Sequence, residues 1–81
     1  MTLAPIQVET YSGFKADETP RRFCLEAQWF DVVEVLDRWY QGHPLPEWPI
    51  ADYFKVLADD QRHYLLKHDR ESDAWFFCRK W

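Results

Sequence analysis

Three histidines, two cysteines, two serines and a scatter of carboxylates are the groups in this chain able to do covalent or metal chemistry. His63 and His68 sit five positions apart in a run that alternates like a strand. An odd separation sends them to opposite faces, which rules out a two-histidine metal clamp. His43 lies among prolines with no local partner and reads as a solvated imidazole. None of the three has the paired spacing of a structural zinc site, so no metal is expected. Ser12 and Ser72 fall in turn-like stretches without a G-x-S-x-G context. Gly13 and Gly42, 29 positions apart, form no phosphate-cradling loop, and no cofactor is expected. The carboxylate pairs Asp59/Asp60 and Asp69/Asp73 read as turn tips, where water keeps acids ionised and the side chains serve turn geometry and solubility. Cys24 and Cys78, separated by 53 residues, show no C-x-x-C pattern and are expected to be reduced small apolar residues in strands, with a disulfide across the domain as the alternative. An enzyme is therefore not expected.

The elements that would position these groups read as strands. IQVETY (6–11) alternates Ile6, Val8 and Thr10 against Gln7, Glu9 and Tyr11. RRFCL (21–25) follows after a loop and ends in a hairpin turn at Glu26, Ala27 and Gln28. WFDVVEVLDRWY (29–40) fits two states. Trp29, Val32, Val33, Leu36 and Tyr40 recur as on an amphipathic helix, whereas its three valines and four aromatics favour the pleated state. No capping residue precedes Trp29. The strand reading needs a bend near Val33 or Leu36, and a β-bulge is the device expected to supply it. YFKVLA (53–58) and RHYLLKH (62–68) flank Asp59, Asp60 and Gln61 as a hairpin. DRESD (69–73) is a further charged turn, and AWFFCRKW (74–81) is a last strand with Trp75, Phe77, Arg79 and Trp81 on one face.

Eighty-one residues make one domain, and a chain this short has no material for a second core. Aromatics are 19% of it, so Trp29, Trp39, Trp75, Phe23, Phe30, Phe54, Phe76 and Phe77 are expected to build the interior. Five or six short strands at this size predict an all-β fold: a small, strongly bent antiparallel barrel, Src-homology-like. Neither a signal-like apolar region nor an 18-residue apolar run occurs, and the expectation is a cytoplasmic protein with no membrane partner.

Two binding chemistries remain. The stretch RWYQGHPLPEWP (38–49) offers Tyr40, Pro44, Pro46 and Trp48 as a stiff aromatic loop suited to a protein partner. In the competing reading Trp48 and Leu45 fold back over an open barrel end as a purely structural lid. The second chemistry is nucleic-acid binding by Lys15, Arg21, Arg22, Arg79, Lys80 and Trp81, if the first loop and the last strand are neighbours. A net charge of −4 opposes non-specific phosphate binding, and the same cations also read as edge-strand charges.

The segments YSGFKADETPRRF, FDVVEVLDRWY, YFKVLADDQRHYLLKHD and DAWFF together resemble a family of small bacterial proteins of unknown function. The shared order is Y-S-G-x-K-x-x-E-x-P-R-x-F, an aromatic-V-x-E-V-x-x-x-W strand, then Y-F-K-V and Y-x-L-x-x-D. About the last forty residues are also similar to the C-terminal tail of catalytically dead Y-family polymerase accessory proteins, which implies a DNA repair or replication accessory role. Neither resemblance places a catalytic residue on this chain. GHPLPEWPIAD (42–52) departs from the first family's short link between the W-Y and Y-F strands.

Overall fold

A computed structural model describes residues 4–11, 19–42 and 51–81, and every regular element in them is a β-strand. The strands are β1 (Ala4–Tyr11), β2 (Thr19–Leu25), β3 (Gln28–Gln41), β4 (Ala51–Ala58), β5 (His63–Asp69) and β6 (Ala74–Lys80). Each runs antiparallel to the next, and β1 returns to pair with β6 through Ala4, Pro5 and Ile6, closing a six-stranded barrel. Closure suits so short a chain because it gives both terminal strands a second partner.

The 29–40 run is strand throughout, and its bend is built from bulges. Residues 28–31 pair with β2, after which β3 turns away and pairs with β4 from Val32 to Gln41. Register against β4 slips between Val32 and Glu34 and again between Val35 and Asp37, so Val33 and Leu36 are the extra residues. A bulge increases local twist and curvature. Two of them in succession let one strand line two sides of a very small barrel.

The interior is filled by Phe23, Phe54, Val56, Ala58, Tyr64, Leu66 and Trp75, with Ile6, Val8, Phe30, Val32, Val35 and Phe77 packed against them. Phe23 lies 5.4 Å from Phe30 in a stacked pair and 4.9 Å from Tyr64 edge-on. Such contacts each contribute about 0.5–1.5 kcal/mol beyond area burial. Three of the aromatics expected inside are placed otherwise. Trp29 is 37% exposed, with the Arg22 guanidinium 4.5 Å from its ring. Trp39 and Phe76 lie on the outer face, where Trp39 stacks on Tyr53 and Phe76 pairs across from Lys67. The largest fully buried side chains are instead two tyrosines, Tyr53 and Tyr64.

β6 also departs from simple alternation. Its register against β5 shifts at Cys78, so Phe77 pairs with the inward Leu66 while Arg79 pairs with the outward Leu65. Arg79 therefore leaves the face that carries Trp75 and Phe77. An extra residue flips everything beyond it by one.

The hairpin turns explain the remaining local structure. Glu26 and Ala27 form a two-residue turn with φ of 53° and 63°. Positive φ at both central positions marks a type I′ turn, which asparagine and glycine adopt with least strain. Ala27→Gly is thus expected to stabilise the fold by about 1 kcal/mol, raising Tm by roughly 4–8 °C in calorimetry. Between β4 and β5, Gln61 N–H donates to the Ala58 carbonyl and Ala58 N–H to the Arg62 carbonyl, both at 3.0 Å. Gln61 takes φ of 70° there. Between β5 and β6, Asp69 accepts from Glu71 N–H and Ser72 Oγ at 3.0 Å each. These bonds, that from Glu71 N–H foremost, hold the Asp69 carboxyl below its ordinary range.

Candidate functional site

The two strand histidines point to opposite sides. His68 is buried inside, stacked on Trp75 at 4.4 Å between ring centres, with Nε2 2.8 Å from Asp73 Oδ1. His63 pairs with Leu57, and its carbonyl accepts the Trp81 N–H at 3.0 Å. Among the described residues no group of three or more His, Cys, Asp or Glu side chains could hold a metal, and no helix is long and apolar enough to cross a membrane. Cys24 and Cys78 are free thiols.

Of the residues proposed for protein contact, Pro44, Pro46 and Trp48 lie outside the described residues, as do Leu45, His43 and the barrel-end lid reading. Tyr40 is described: it is 53% exposed, and the Arg70 guanidinium sits 4.6 Å from its ring. Arg70 is anchored in turn by Asp52, with Nε donating to Oδ2 at 2.6 Å and Nη2 to Oδ1 at 2.9 Å. Tyr40 pairs with Asp52, on the side of β3 that also carries Arg38, and two exposed apolar residues of the strand were not selected by sequence reasoning. Val33 is 63% exposed and Leu36 38%, both at the bulges of β3. The signal was available, since a bulge puts its extra residue where alternation no longer decides burial.

Beside those apolar groups stand the exposed carboxylates Asp31, Glu34 and Asp37. Asp31 has a partner in Arg22, whose Nε lies 3.8 Å from Oδ1 and whose Nη1 lies 3.7 Å from Glu9. Among the described residues Glu34 and Asp37 have no ion pair. Lys55 stands across from Asp37 in β4, yet its ammonium sits 4.6 Å from the Trp81 ring.

The described cations proposed for nucleic acid come from two separate strands. Lys15 lies outside the described residues. Arg21 and Arg22 belong to β2 and Arg79 and Lys80 to β6, with β1 between the two strands. Lys80 lines an open cleft at one barrel end together with Ile6, Leu25, Glu26 and Phe77. Arg79 joins a cluster the sequence did not reveal. Its guanidinium lies 4.8 Å from the Trp81 ring, which Lys55 also approaches, and Trp81 remains 44% exposed. Lys55 and Arg79 flank Leu65 in neighbouring strands, so the two cations at the indole come from either side of β5.

A second buried group, Ala51, Tyr53, Leu65 and Cys78 with Trp39 against them, occupies the outer face. Burial pushes the Tyr53 phenol up to about 12, with Cys78 adding to the shift, and the Cys78 thiol up to about 11. Burial, then the bond to Asp60, raises Tyr64 likewise to about 12. The folded state holds these protons more tightly than the unfolded chain. Their contribution is fully present below the ordinary thiol and phenol values and is lost as pH rises through about 9 to 12. Urea unfolding is expected to show a steep fall in stability between pH 9 and pH 11.5, smaller in Tyr53→Phe.

No family model, curated protein or solved structure matches the chain.

Proposed function

We propose that the barrel is a non-enzymatic, cytoplasmic protein-interaction module whose contact surface is the exposed side of β3 around its two bulges, with Tyr40 exposed further along the same strand on its other side. The observation that carries this reading is the pair Val33 and Leu36, two apolar side chains exposed at successive bulges of one strand. A chain with so few large apolar groups to spare exposes these two on a strand instead of a loop. Apolar side chains held on a rigid scaffold supply contact area with little ordering cost. A photoreactive amino acid placed at position 36 and, separately, at 71 tests it in cells. Covalent adducts to a discrete polypeptide from position 36 and none from position 71 are expected; no adduct, or the same adduct from both, contradicts the reading.

The runner-up is a nucleic-acid accessory role. It is supported by the exposed Trp81 ring between Lys55 and Arg79, a base-stacking platform flanked by cations. Titration with single-stranded DNA separates the two readings. Phosphate binding would perturb the Trp81 indole N–H and weaken steeply between about 50 and 200 mM salt, whereas the leading reading expects no shift there.

A further inference from the structure

Resting on the protein-interaction reading, we infer how the partner binds: an extended, lysine- or arginine-bearing segment adds as a strand to the second edge of β3 between Val33 and Arg38. β3 pairs with β2 only as far as Asp31, and beyond that point its edge away from β4 has no neighbouring strand among the described residues. Such an edge is a template for main-chain pairing, and the side chains beside it select the partner.

Those side chains alternate apolar with acidic: Val33 then Glu34, Leu36 then Asp37. All four are exposed, and neither carboxylate is ion-paired among the described residues. A lysine or arginine matches this surface in both respects, because its aliphatic stem covers an apolar side chain while its charged head stays in water beside a carboxylate. The same acids argue against a second copy of this chain. Two β3 edges brought together would face Glu34 and Asp37 with like charges, and like charges opposed across a ladder are destabilising. The acids therefore guard the edge against self-association and leave it open to a cationic strand.

The test uses the isotope-labelled full chain and three acetylated nine-residue peptides: one alternating valine and lysine, one alternating valine and glutamate, and the valine–lysine peptide N-methylated at alternate amides. The valine–lysine peptide is expected to shift the amides of residues 33–38 and slow their exchange. The glutamate peptide should bind at least tenfold more weakly, and the methylated peptide should not bind. The double variant E34K/D37K should reverse the preference between lysine and glutamate. Absence of shifts at 33–38, or an unchanged preference in E34K/D37K, overturns the inference. If the methylated peptide binds equally well but V33S/L36S abolishes binding, strand addition is refuted while the apolar contact surface survives. Binding of the unmethylated lysine peptide by V33S/L36S at full affinity, with no shift on β3, removes both. Self-association through β3 in sedimentation would also overturn it.

Discussion

Phe54→Ala is expected to lower stability by about 3–5 kcal/mol, enough to leave a domain of this size largely unfolded at 37 °C. Phe54 is 1% exposed on β4, the strand paired along its length with both β3 and β5. Its ring packs 5.3 Å from Trp75, and the Arg38 guanidinium lies 4.9 Å from its centre. Truncation removes the partner of both, and the surrounding pleated backbone is hydrogen-bonded on two sides and cannot collapse into the space. Chemical denaturation of Phe54→Ala beside Phe54→Leu measures this. The leucine variant should recover more than half of the loss, and equal losses would mean that the ring contacts, not the filled volume, set the energy.

Asp60→Ala is the second large effect, although Asp60 is itself exposed. Its carboxylate accepts from the Tyr64 hydroxyl at 2.5 Å and from Arg62 N–H at 3.0 Å, tying the β4–β5 turn to the most buried phenol of the core. Loss of the acceptor strands the hydroxyl, and hydrogen bonds to charged groups contribute about 1.5–3 kcal/mol, so a loss of roughly 2–3 kcal/mol is expected. Tyr64→Phe removes the donor without stranding it and should cost only about 1 kcal/mol. The double variant should cost less than the two single losses combined, since they break one bond. The effect carries a pH signature. Partial burial raises the Asp60 pKa, but the Tyr64 hydroxyl, the Arg62 amide and the Lys80 charge together hold it below its ordinary value. Its contribution is thus present above the usual carboxylate range and lost as pH falls through the depressed value. The difference between wild type and Asp60→Asn in urea should shrink from pH 7 to pH 3.

The strands and turns were legible because they depend on local chemistry. Alternation in 6–11 and 53–68, and the acid-rich turns, suffice for a sheet, and an all-β barrel follows from strand number and length. The 29–40 segment shows where such reading becomes ambiguous. Its inward positions are Phe30, Val32, Val35, Arg38 and Tyr40, read from their pairing with inward partners across β2 and β4. Each bulge turns a spacing of two into three, and the result imitates helical recurrence. One bulge at Cys78 likewise moved Arg79 out of its expected face. The Trp81 cluster was hidden for another reason: Lys55, Leu65 and Arg79 come from three strands and meet only through register. Tyr53 and Tyr64 were passed over because a phenol reads as amphipathic, whereas here both residues are buried and the Tyr64 hydroxyl donates to Asp60. Trp29 was assigned inside on size alone, although its neighbour Arg22 gives it an outer position as a cation–π partner.

Amide hydrogen exchange on the unliganded protein tests the central claim, that β3 leaves β2 at Asp31 and that its second edge from Val33 to Arg38 has no strand partner among the described residues. Slow exchange is expected at Phe54, Val56, Tyr64 and Leu66, which lie in strands paired on both sides, together with fast exchange at those amides of residues 33–38 directed away from β4. Uniform slow exchange from Val33 to Arg38 would mean that the edge is already paired within the molecule, and the account of this surface would be wrong.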